Sequence, residues 1–299
     1  MSAPLSVADR AAATIRPRKQ RLAAVGLVLI LLLLGTGGWL LWDNRRLDVT
    51  TYEVVLDDLP RAADGLRIAQ LSDLHAAQFG TFQDRVVAAT TAAQPDLIAL
   101  TGDLIDYRTS QLDGVLTMTE RLQSIAPTYV VLGNHEADSS LMEELITGLE
   151  AQGITVLRDE AVELRSAGVE LTVAGLDDPW LRTAAGQSRR DASGLLAGLD
   201  LPEDAATVLL AHRPEQLGSY TGTGVDLVLS GHAHGGQVRI PGVGGLYAPH
   251  QGMFPTLTEG VHELEGTTMV ISRGLGNSSV GVRVNNPREL VIVELRSGA

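Results

Sequence analysis

Short apolar runs alternate with amphipathic stretches along most of this chain, after one long apolar segment near its N-terminus. Runs rich in Val, Ile and Leu and bounded by Gly, Pro, Asp or Asn predict strands. We predict strands over 52–56, 67–71, 96–101, 128–132, 169–174, 206–211, 225–230, 268–272 and 289–295. Apolar positions with helical spacing predict helices near 82–94, 111–124 and 140–152. This pattern favours an α/β fold with two packed sheets flanked by helices.

The long apolar segment covers residues 22–42, which is 21 residues without a charge and enough to cross a hydrocarbon core of about 30 Å. It is preceded by Arg10, Arg16, Arg18, Lys19 and Arg21. The positive-inside rule then predicts a single-pass protein with a cytoplasmic N-terminus and an extracytoplasmic C-terminal part. A cleaved signal peptide is the alternative, since residues 35–38 are small. The apolar continuation over 39–42 favours an uncleaved anchor.

We therefore predict a basic tail at 1–21, a transmembrane anchor at 22–42, a tether at 43–64 and one folded domain at 65–299. The whole chain has a net charge of −13. Residues 1–46 carry +5, so residues 47–299 carry −18. An acidic surface disfavours nucleic acid as a partner, because phosphate backbones bind to basic surfaces. The chain has no cysteine, which excludes disulfides and thiolate metal sites.

Five polar motifs each follow a predicted strand. They are Asp73-Leu74-His75, Gly102-Asp103, Gly133-Asn134-His135-Glu136, His212 and Gly231-His232-Ala233-His234-Gly235. Because the carboxyl ends of strands in open α/β sheets border one crevice, we expect these motifs to converge there. Imidazole and carboxylate ligands suit zinc, iron, manganese or nickel, and two adjacent ions require a shared carboxylate, for which we choose Asp103.

With these motifs in this order, the chain resembles the calcineurin-like metallophosphoesterases over roughly residues 65–295. The resemblance implies a four-layered α/β/β/α sandwich. It implies that one divalent or trivalent ion is held by Asp73, His75, Asp103 and His234, and a second by Asp103, Asn134, His212 and His232. It further implies that a hydroxide bridging the ions attacks the phosphorus of a phosphate ester. The segments 231–237 and 272–276 are similar to those of exported or envelope-associated bacterial members.

Four further residues are candidates for catalysis or substrate binding. His135 matches the position of the family histidine that protonates or stabilises the leaving group, and Glu136 either orients its imidazole or is a solvated loop acid. Arg213 and Arg273 are candidates for binding the substrate phosphate, with salt bridging as the alternative. The pair Asp177-Asp178 either supports a metal ligand or caps a turn.

Phosphodiester hydrolysis is the expected activity. Phosphate esters of the envelope or of lipids are candidate substrates. The alternatives are a phosphomonoesterase, a lipid-linked pyrophosphatase, or a non-catalytic metal-binding scaffold. The Gly-rich span 235–260 is interpreted either as a loop that shapes the substrate site or as a surface excursion. His250 and His262 are interpreted as ordinary loop residues. The sequence leaves the oligomeric state open.

Overall fold

The chain forms two units, Met1–Asp43 and Asn44–Ala299. A computed structural model describes residues 7–76, 80–166, 169–184, 186, 191–202, 205–277 and 281–298. The first unit contains the helix α1 (Val7–Asp43). Its part Gln20–Asp43 is long and apolar enough to cross a membrane. Such a helix suits a bilayer because it satisfies its own backbone hydrogen bonds.

The second unit is built on two six-stranded sheets. The first contains β1 (Leu47–Leu56), β2 (Arg67–Leu71), β3 (Leu97–Thr101), β4 (Thr128–Val131), β5 (Thr155–Val156) and β16 (Arg288–Ser297). The second contains β6 (Glu160–Ser166), β7 (Val169–Gly175), β8 (Thr207–Leu210), β9 (Leu227–Ser230), β14 (Gly260–Leu264) and β15 (Thr267–Ile271). Their strand orders are β1-β16-β2-β3-β4-β5 and β14-β15-β9-β8-β7-β6.

Most neighbouring strands run parallel. The antiparallel pairs are β16 with β2 in the first sheet, and β14 with β15 and β6 with β7 in the second. The four central strands β2, β3, β8 and β9 therefore end at the same side of their sheets. Residues 43–64, for which the sequence predicts a tether, include β1, which pairs along its whole length with β16. Residues 44–64 thus belong to the second unit, and only Asp43 belongs to the first.

The two sheets pack face to face, and helices cover their outer faces. Strand β3 shows how the sequence produces this arrangement, because successive side chains in a strand point to opposite faces. Leu97 and Ala99 lie in the core between the sheets, whereas Ile98 and Leu100 lie in the core beneath the helices. All four are buried, as expected for a strand covered on both sides.

The helices lie in two groups. Residues of α2 (Thr81–Ala93), α3 (Asp113–Gln123) and α5 (Met142–Ala151) belong to the outer core of the first sheet. Residues of α7 (Ala192–Leu196) and α8 (Leu217–Tyr220) belong to that of the second. The short helices α4 (Asn134–Ala137) and α6 (Pro179–Ala184) follow β4 and β7. The expected α/β/β/α arrangement is confirmed.

The Gly-rich span is folded into two small hairpins. One pairs β10 (Arg239–Ile240) with β11 (Gly244–Gly245), and the other pairs β12 (Tyr247–Ala248) with β13 (Gly252–Met253). The backbone N–H of Leu246 donates to the carbonyl of Val238, 2.8 Å away, and joins the two hairpins. This span is therefore an ordered structure.

Candidate metal centre

The five polar motifs follow β2, β3, β4, β8 and β9 and meet where the two sheets end. Five of their residues have positive φ angles, a backbone conformation that only glycine adopts freely: Asp73 (52°), His75 (48°), Asp103 (56°), His232 (66°) and His234 (48°). Each such residue costs on the order of 1–3 kcal/mol and persists because its surroundings hold it. Here the loops hold one another, as the N–H of His75 donates to the carbonyl of Asp103 at 2.9 Å.

One group of candidate ligands consists of Asp73, His75, Asp103 and His234, all buried. The Nε2 atoms of His75 and His234 lie 3.1 Å apart. His234 Nε2 is 3.4 Å from Asp73 Oδ1, and His75 Nε2 is 3.8 Å from Asp103 Oδ2. One ligand atom from each residue lies within 4.8 Å of the others, which is the spacing of atoms around a common ion.

A second group consists of Asp103, His212 and His232. His212 Nε2 lies 3.0 Å from Asp103 Oδ2 and 3.2 Å from His232 Nδ1. Both groups contain Asp103, and the same oxygen, Oδ2, faces His75 and His212. The buried Oδ1 atom of Asn134 has no hydrogen-bond partner among the described residues. Asn134 follows Gly133, which packs against the carboxylate of Asp103. An unpartnered buried acceptor at this position fits a first-row metal ion.

Backbone contacts fix the direction of the His212 ring. Its Nδ1 lies 2.7 Å from the carbonyl of Thr101, so Nδ1 carries the proton that is donated to this oxygen. Nε2 then faces Asp103, and a bound metal ion would replace the proton on this nitrogen and use its lone pair, as in most metal-binding histidines.

Burial and opposite charges shift the pKa values of the cluster. Burial raises the pKa of Asp73 to about 6 and lowers that of His75 to about 4. Burial also opposes the charged form of His212, but Asp103 outweighs it and raises the pKa of His212 to about 10. In the protein alone, the His212 imidazolium thus neutralises the Asp103 carboxylate. A bound cation would take over that role.

Glu136 holds the ligand loops together and does not contact the ring of His135. Its carboxylate is fully buried and accepts hydrogen bonds from the backbone N–H groups of Asp103 (3.0 Å), Ile105 (3.0 Å) and Gly133 (2.7 Å). Burial, followed by the charge of Asp103, raises the pKa of Glu136 to about 7. The carboxylate therefore ties the loop after β3 to the loop after β4.

We expect Glu136→Gln to destabilise the protein by about 1–3 kcal/mol, because a carboxamide presents an NH2 donor to a backbone donor. The free energy of unfolding of the metal-free protein, measured in urea, checks this. Glu144→Gln is the matched control, since Glu144 is exposed on α5. Equal stability of the two variants would show that the three backbone contacts do not hold the loops.

Close packing at Gly231 also shapes the site. A Cβ atom at this position would collide with Ser72 Oγ and with the carboxylate of Asp73. We expect Gly231→Ala to lower the stability by about 1–3 kcal/mol, the usual cost of overpacking, and to weaken metal binding. Thermal unfolding with and without metal measures both effects. Gly218→Ala is the control, because a Cβ there meets no atom within 4 Å, and it should leave both quantities unchanged.

His135 lies at the edge of the first ligand group. Its backbone N–H donates to Asp103 Oδ1 at 2.9 Å. Its ring meets the ring of His75 edge to face, with 4.7 Å between the centroids. The Nδ1 atom is buried and has no partner among the described residues. The imidazole therefore borders the cluster without being one of the grouped ligands.

Arg213 lies near the second ligand group and is already paired. Its guanidinium binds both carboxylate oxygens of Asp178, at 2.5 and 3.0 Å, and both side chains are buried. Its remaining nitrogen NH1 is 3.1 Å from the ring of His250. Asp178 thus supports Arg213 rather than a metal ligand. Its neighbour Asp177 pairs with Arg158 at 2.7 Å.

The structure places Arg273 among carboxylates. Its guanidinium lies 3.1 Å from Glu289, 3.5 Å from Asp48 and 3.6 Å from Glu259. Its backbone N–H also donates to Glu289, at 3.1 Å. These contacts are those of the salt-bridge alternative for this residue.

Two residues near the site escape sequence reasoning. His250 stacks on His232 with 5.3 Å between the ring centroids, and its Nδ1 lies 3.1 Å from His232 Nε2. Arg283 is fully buried, and its guanidinium is 3.3 Å from His234 Nδ1. Neither lies in a recognisable motif, and only the fold of the distant loops brings them in. His262, in contrast, lies on the strand β14 and not in the loop that the sequence predicted, and its ring contacts the carbonyl of Glu259.

The protein has two packed sheets, and aspartates and histidines come together where their strands end. These features are those of the metallophosphoesterase class. The chain belongs to the calcineurin-like phosphoesterase family, whose family model matches residues 66–236. Membership implies a metal-dependent hydrolase of phosphate esters that uses divalent ions.

Three relatives extend the match beyond the family segment. The chain is 30% identical over 265 residues to the uncharacterized metallophosphoesterase YkuE of Bacillus subtilis, covering 85% of this chain and 87% of that protein. It is 29% identical to phosphodiesterase YaeI of Escherichia coli, covering 77% and 82%. It is 28% identical to a Bos taurus transmembrane protein with a metallophosphoesterase domain, covering 83% and 57%. Together with α1, the bovine relative indicates membrane anchoring.

Proposed function

We propose that this protein is a phosphodiesterase that works with two metal ions. The observation that supports it best is the pair of ligand groups that share Asp103, with one carboxylate oxygen facing both sides. Asp73, His75, Asp103 and His234 would hold one ion; Asp103, Asn134, His212 and His232 would hold the other. Manganese, zinc, iron and nickel all accept this ligand set. When bound, such ions polarise a phosphate ester and lower the pKa of water towards neutrality.

The protein's own residues would then handle the leaving group and the phosphate. His135 borders the ligand cluster with a buried ring nitrogen that has no partner among the described residues, so it is suited to donate a proton to the departing oxygen. Glu136 would act on His135 only through the backbone that both share. Arg213 is the better placed guanidinium for a phosphate oxygen, because its NH1 lies beside His250, which stacks on the candidate ligand His232. Arg273 lies among three carboxylates.

Charge favours a diester over a monoester as the substrate. A phosphodiester carries one negative charge at neutral pH, whereas a monoester carries nearly two. The unit Asn44–Ala299 has a net charge of −16, since residues 1–43 carry +3 of the chain's −13, and Arg213, which follows the candidate ligand His212, is paired with Asp178. A second negative charge on the substrate would therefore meet little compensation beyond the ions. The Escherichia coli relative YaeI is named a phosphodiesterase, which agrees with this preference.

The proposed setting is a single-pass membrane protein with its catalytic unit on the extracytoplasmic side. Basic residues concentrate before the apolar helix, whereas the part after it is strongly acidic. Positively charged flanks stay on the cytoplasmic side during insertion. The orientation is checked with a fluorescent reporter at the C-terminus, whose accessibility to protease is measured in spheroplasts. Protection of the reporter from protease would show that the catalytic unit lies on the cytoplasmic side.

The activity is tested with the full-length protein in detergent after removal of metal with a chelator. Manganese, zinc, iron and nickel are added back separately, and bound metal and turnover are measured. We expect two ions per chain and faster cleavage of bis-p-nitrophenyl phosphate than of p-nitrophenyl phosphate. Faster monoester cleavage would identify a phosphomonoesterase instead. Two bound ions without hydrolysis of any phosphate ester would identify a binding scaffold.

A further inference from the structure

The two hairpins of the Gly-rich span expose apolar side chains to solvent. We call these residues the apolar hairpin face: Ile240, Val243, Tyr247, Met253 and Phe254. Their exposed fractions are 40%, 62%, 50%, 58% and 57%. Tyr247 and Met253 are directly paired across β12 and β13, so their side chains lie side by side. Several large apolar side chains exposed within one short segment are the mark of an interaction surface.

The apolar hairpin face borders the ligand cluster. The turn between β12 and β13 contains His250, whose ring stacks on the candidate ligand His232. At the base of the hairpins, Gly236 and Gly245 approach so closely that a Cβ atom on either would meet the other's backbone. A surface that docks on this face would therefore have the phosphate-ester site beside it.

The point where the chain enters the catalytic unit adjoins the same cluster. Asn44 is the first residue of that unit, and α1 ends at Asp43. The Asn44 side chain donates to the carbonyl of Arg283 at 2.7 Å and accepts from its N–H at 2.8 Å. The guanidinium of Arg283 in turn reaches His234 Nδ1. The backbone thus enters the catalytic unit beside a residue that contacts the candidate ligand His234.

Hydrogen bonds connect this entry point to the hairpins. The N–H of Arg239, at the start of β10, donates to the carbonyl of Val284 at 2.9 Å. Val282, beside Arg283, is itself 49% exposed. Within the catalytic unit, the entry point of the chain, the hairpins and an exposed apolar side chain are thus connected to one another.

We propose that the apolar hairpin face rests in the headgroup region of the bilayer that holds α1, and that the site hydrolyses phosphodiesters of membrane lipids. This inference rests on the proposed phosphodiesterase function and names its substrate class. Tyr247 suits that position, because a tyrosine has an apolar ring and a polar tip. Contact through apolar side chains also needs no positive charge on the protein. An acidic domain lacks the positive surface that would bind anionic lipids.

The reaction itself is a hydrolysis. The oxygen of water forms a bond to phosphorus, the bond from phosphorus to the leaving oxygen breaks, and that oxygen gains a proton. Since α1 would anchor the protein in the membrane, lipid diesters would be present at a high effective concentration.

The position of the hairpins is tested with spin labels, for which a chain without cysteine is convenient. Met253→Cys in the full-length protein is labelled with a nitroxide after reconstitution in phosphatidylcholine and phosphatidylglycerol nanodiscs. Val55→Cys is the matched control, because Val55 is apolar and 61% exposed. Val55 lies eight residues after Leu47, the first residue of β1. At ~3.3 Å per residue, the distance between the two along the strand is about 26 Å.

We expect oxygen, which concentrates in lipid, to relax the label at 253 more strongly than a water-soluble nickel chelate does. The label at 55 should show the reverse. If nickel also dominates at 253, the hairpins do not touch the bilayer and the proposal is overturned.

The substrate is tested with a chromogenic lipid, the p-nitrophenyl ester of phosphatidic acid, in phosphatidylcholine vesicles beside soluble bis-p-nitrophenyl phosphate. The native protein should cleave both. The double variant Val243→Asp/Met253→Asp should retain soluble turnover and lose at least about tenfold on the lipid. Cleavage of the soluble diester alone by the native protein would reject the lipid substrate and leave the phosphodiesterase standing. Cleavage of neither would reject the phosphodiesterase and, with it, the lipid proposal.

Discussion

Asp103→Asn should abolish hydrolysis, with kcat/KM at least about a thousandfold lower. Asp103 Oδ1 accepts the N–H of His135, so the asparagine would keep its oxygen there and turn its NH2 group towards His75 and His212. Neither proposed ion would then have its shared ligand. Two ions contribute several kcal/mol of charge stabilisation, and each 1.4 kcal/mol is a factor of ten. Turnover of bis-p-nitrophenyl phosphate and metal content per chain are measured together.

Asp113→Asn is the control, since Asp113 is exposed in the first turn of α3. It should keep the native metal content and rate. If Asp103→Asn retained both ions and native turnover, the shared-carboxylate arrangement would be wrong, and the chemistry would have to be sought elsewhere.

His135→Asn should show a second large effect that depends on the leaving group. Its removal should slow hydrolysis of an alkyl diester, which needs a proton on the departing oxygen, by about 10²–10⁴-fold. Cleavage of bis-p-nitrophenyl phosphate should fall much less, because p-nitrophenolate leaves without protonation. The backbone N–H that binds Asp103 remains in the variant. Metal content should therefore stay unchanged.

His262→Asn is the matched control, because His262 contacts only a nearby carbonyl among the partners identified. A plot of rate against leaving-group pKa should steepen for His135→Asn and not for His262→Asn. Equal slopes with native metal content would remove His135 from proton transfer. A loss of metal in His135→Asn would mean that its role is to hold the ligands.

The sequence predicts much of the scaffold because the central strands are short, apolar and buried on both faces. The strands near 67–71, 128–132 and 169–174 were found within about one residue of the predicted bounds. In contrast, β1 was predicted as a short strand within a tether. Its sequence, LDVTTYEVVL, alternates polar and apolar residues, and its place beside β16 depends on a partner more than 200 residues away. Such pairing has no local signal.

The candidate ligands follow strand ends, so their convergence could be predicted from position alone. Partners in the surrounding shell could not. Glu136 follows His135 in sequence, but helix α4 directs its carboxylate to the backbone of the neighbouring loops. His250 lies in a span without periodicity, and the short hairpin β12–β13 brings it to His232. These outcomes depend on tertiary geometry, which composition and spacing do not encode.

The division of the ligand groups between the sheets has a consequence for the stability of the protein. Asp73, Asp103 and Asn134 follow strands of the first sheet, whereas His212, His232 and His234 follow strands of the second. Ions bound between them would cross-link the two halves of the sandwich, as a disulfide cross-links two parts of a chain. Ligands that bind only the native state stabilise it by about 4 kcal/mol at a thousand times Kd. In a chain without cysteine, the bound metal ions would thus also serve as the cross-link between the sheets. Scarcity of metal would then shorten the protein's lifetime and lower its activity.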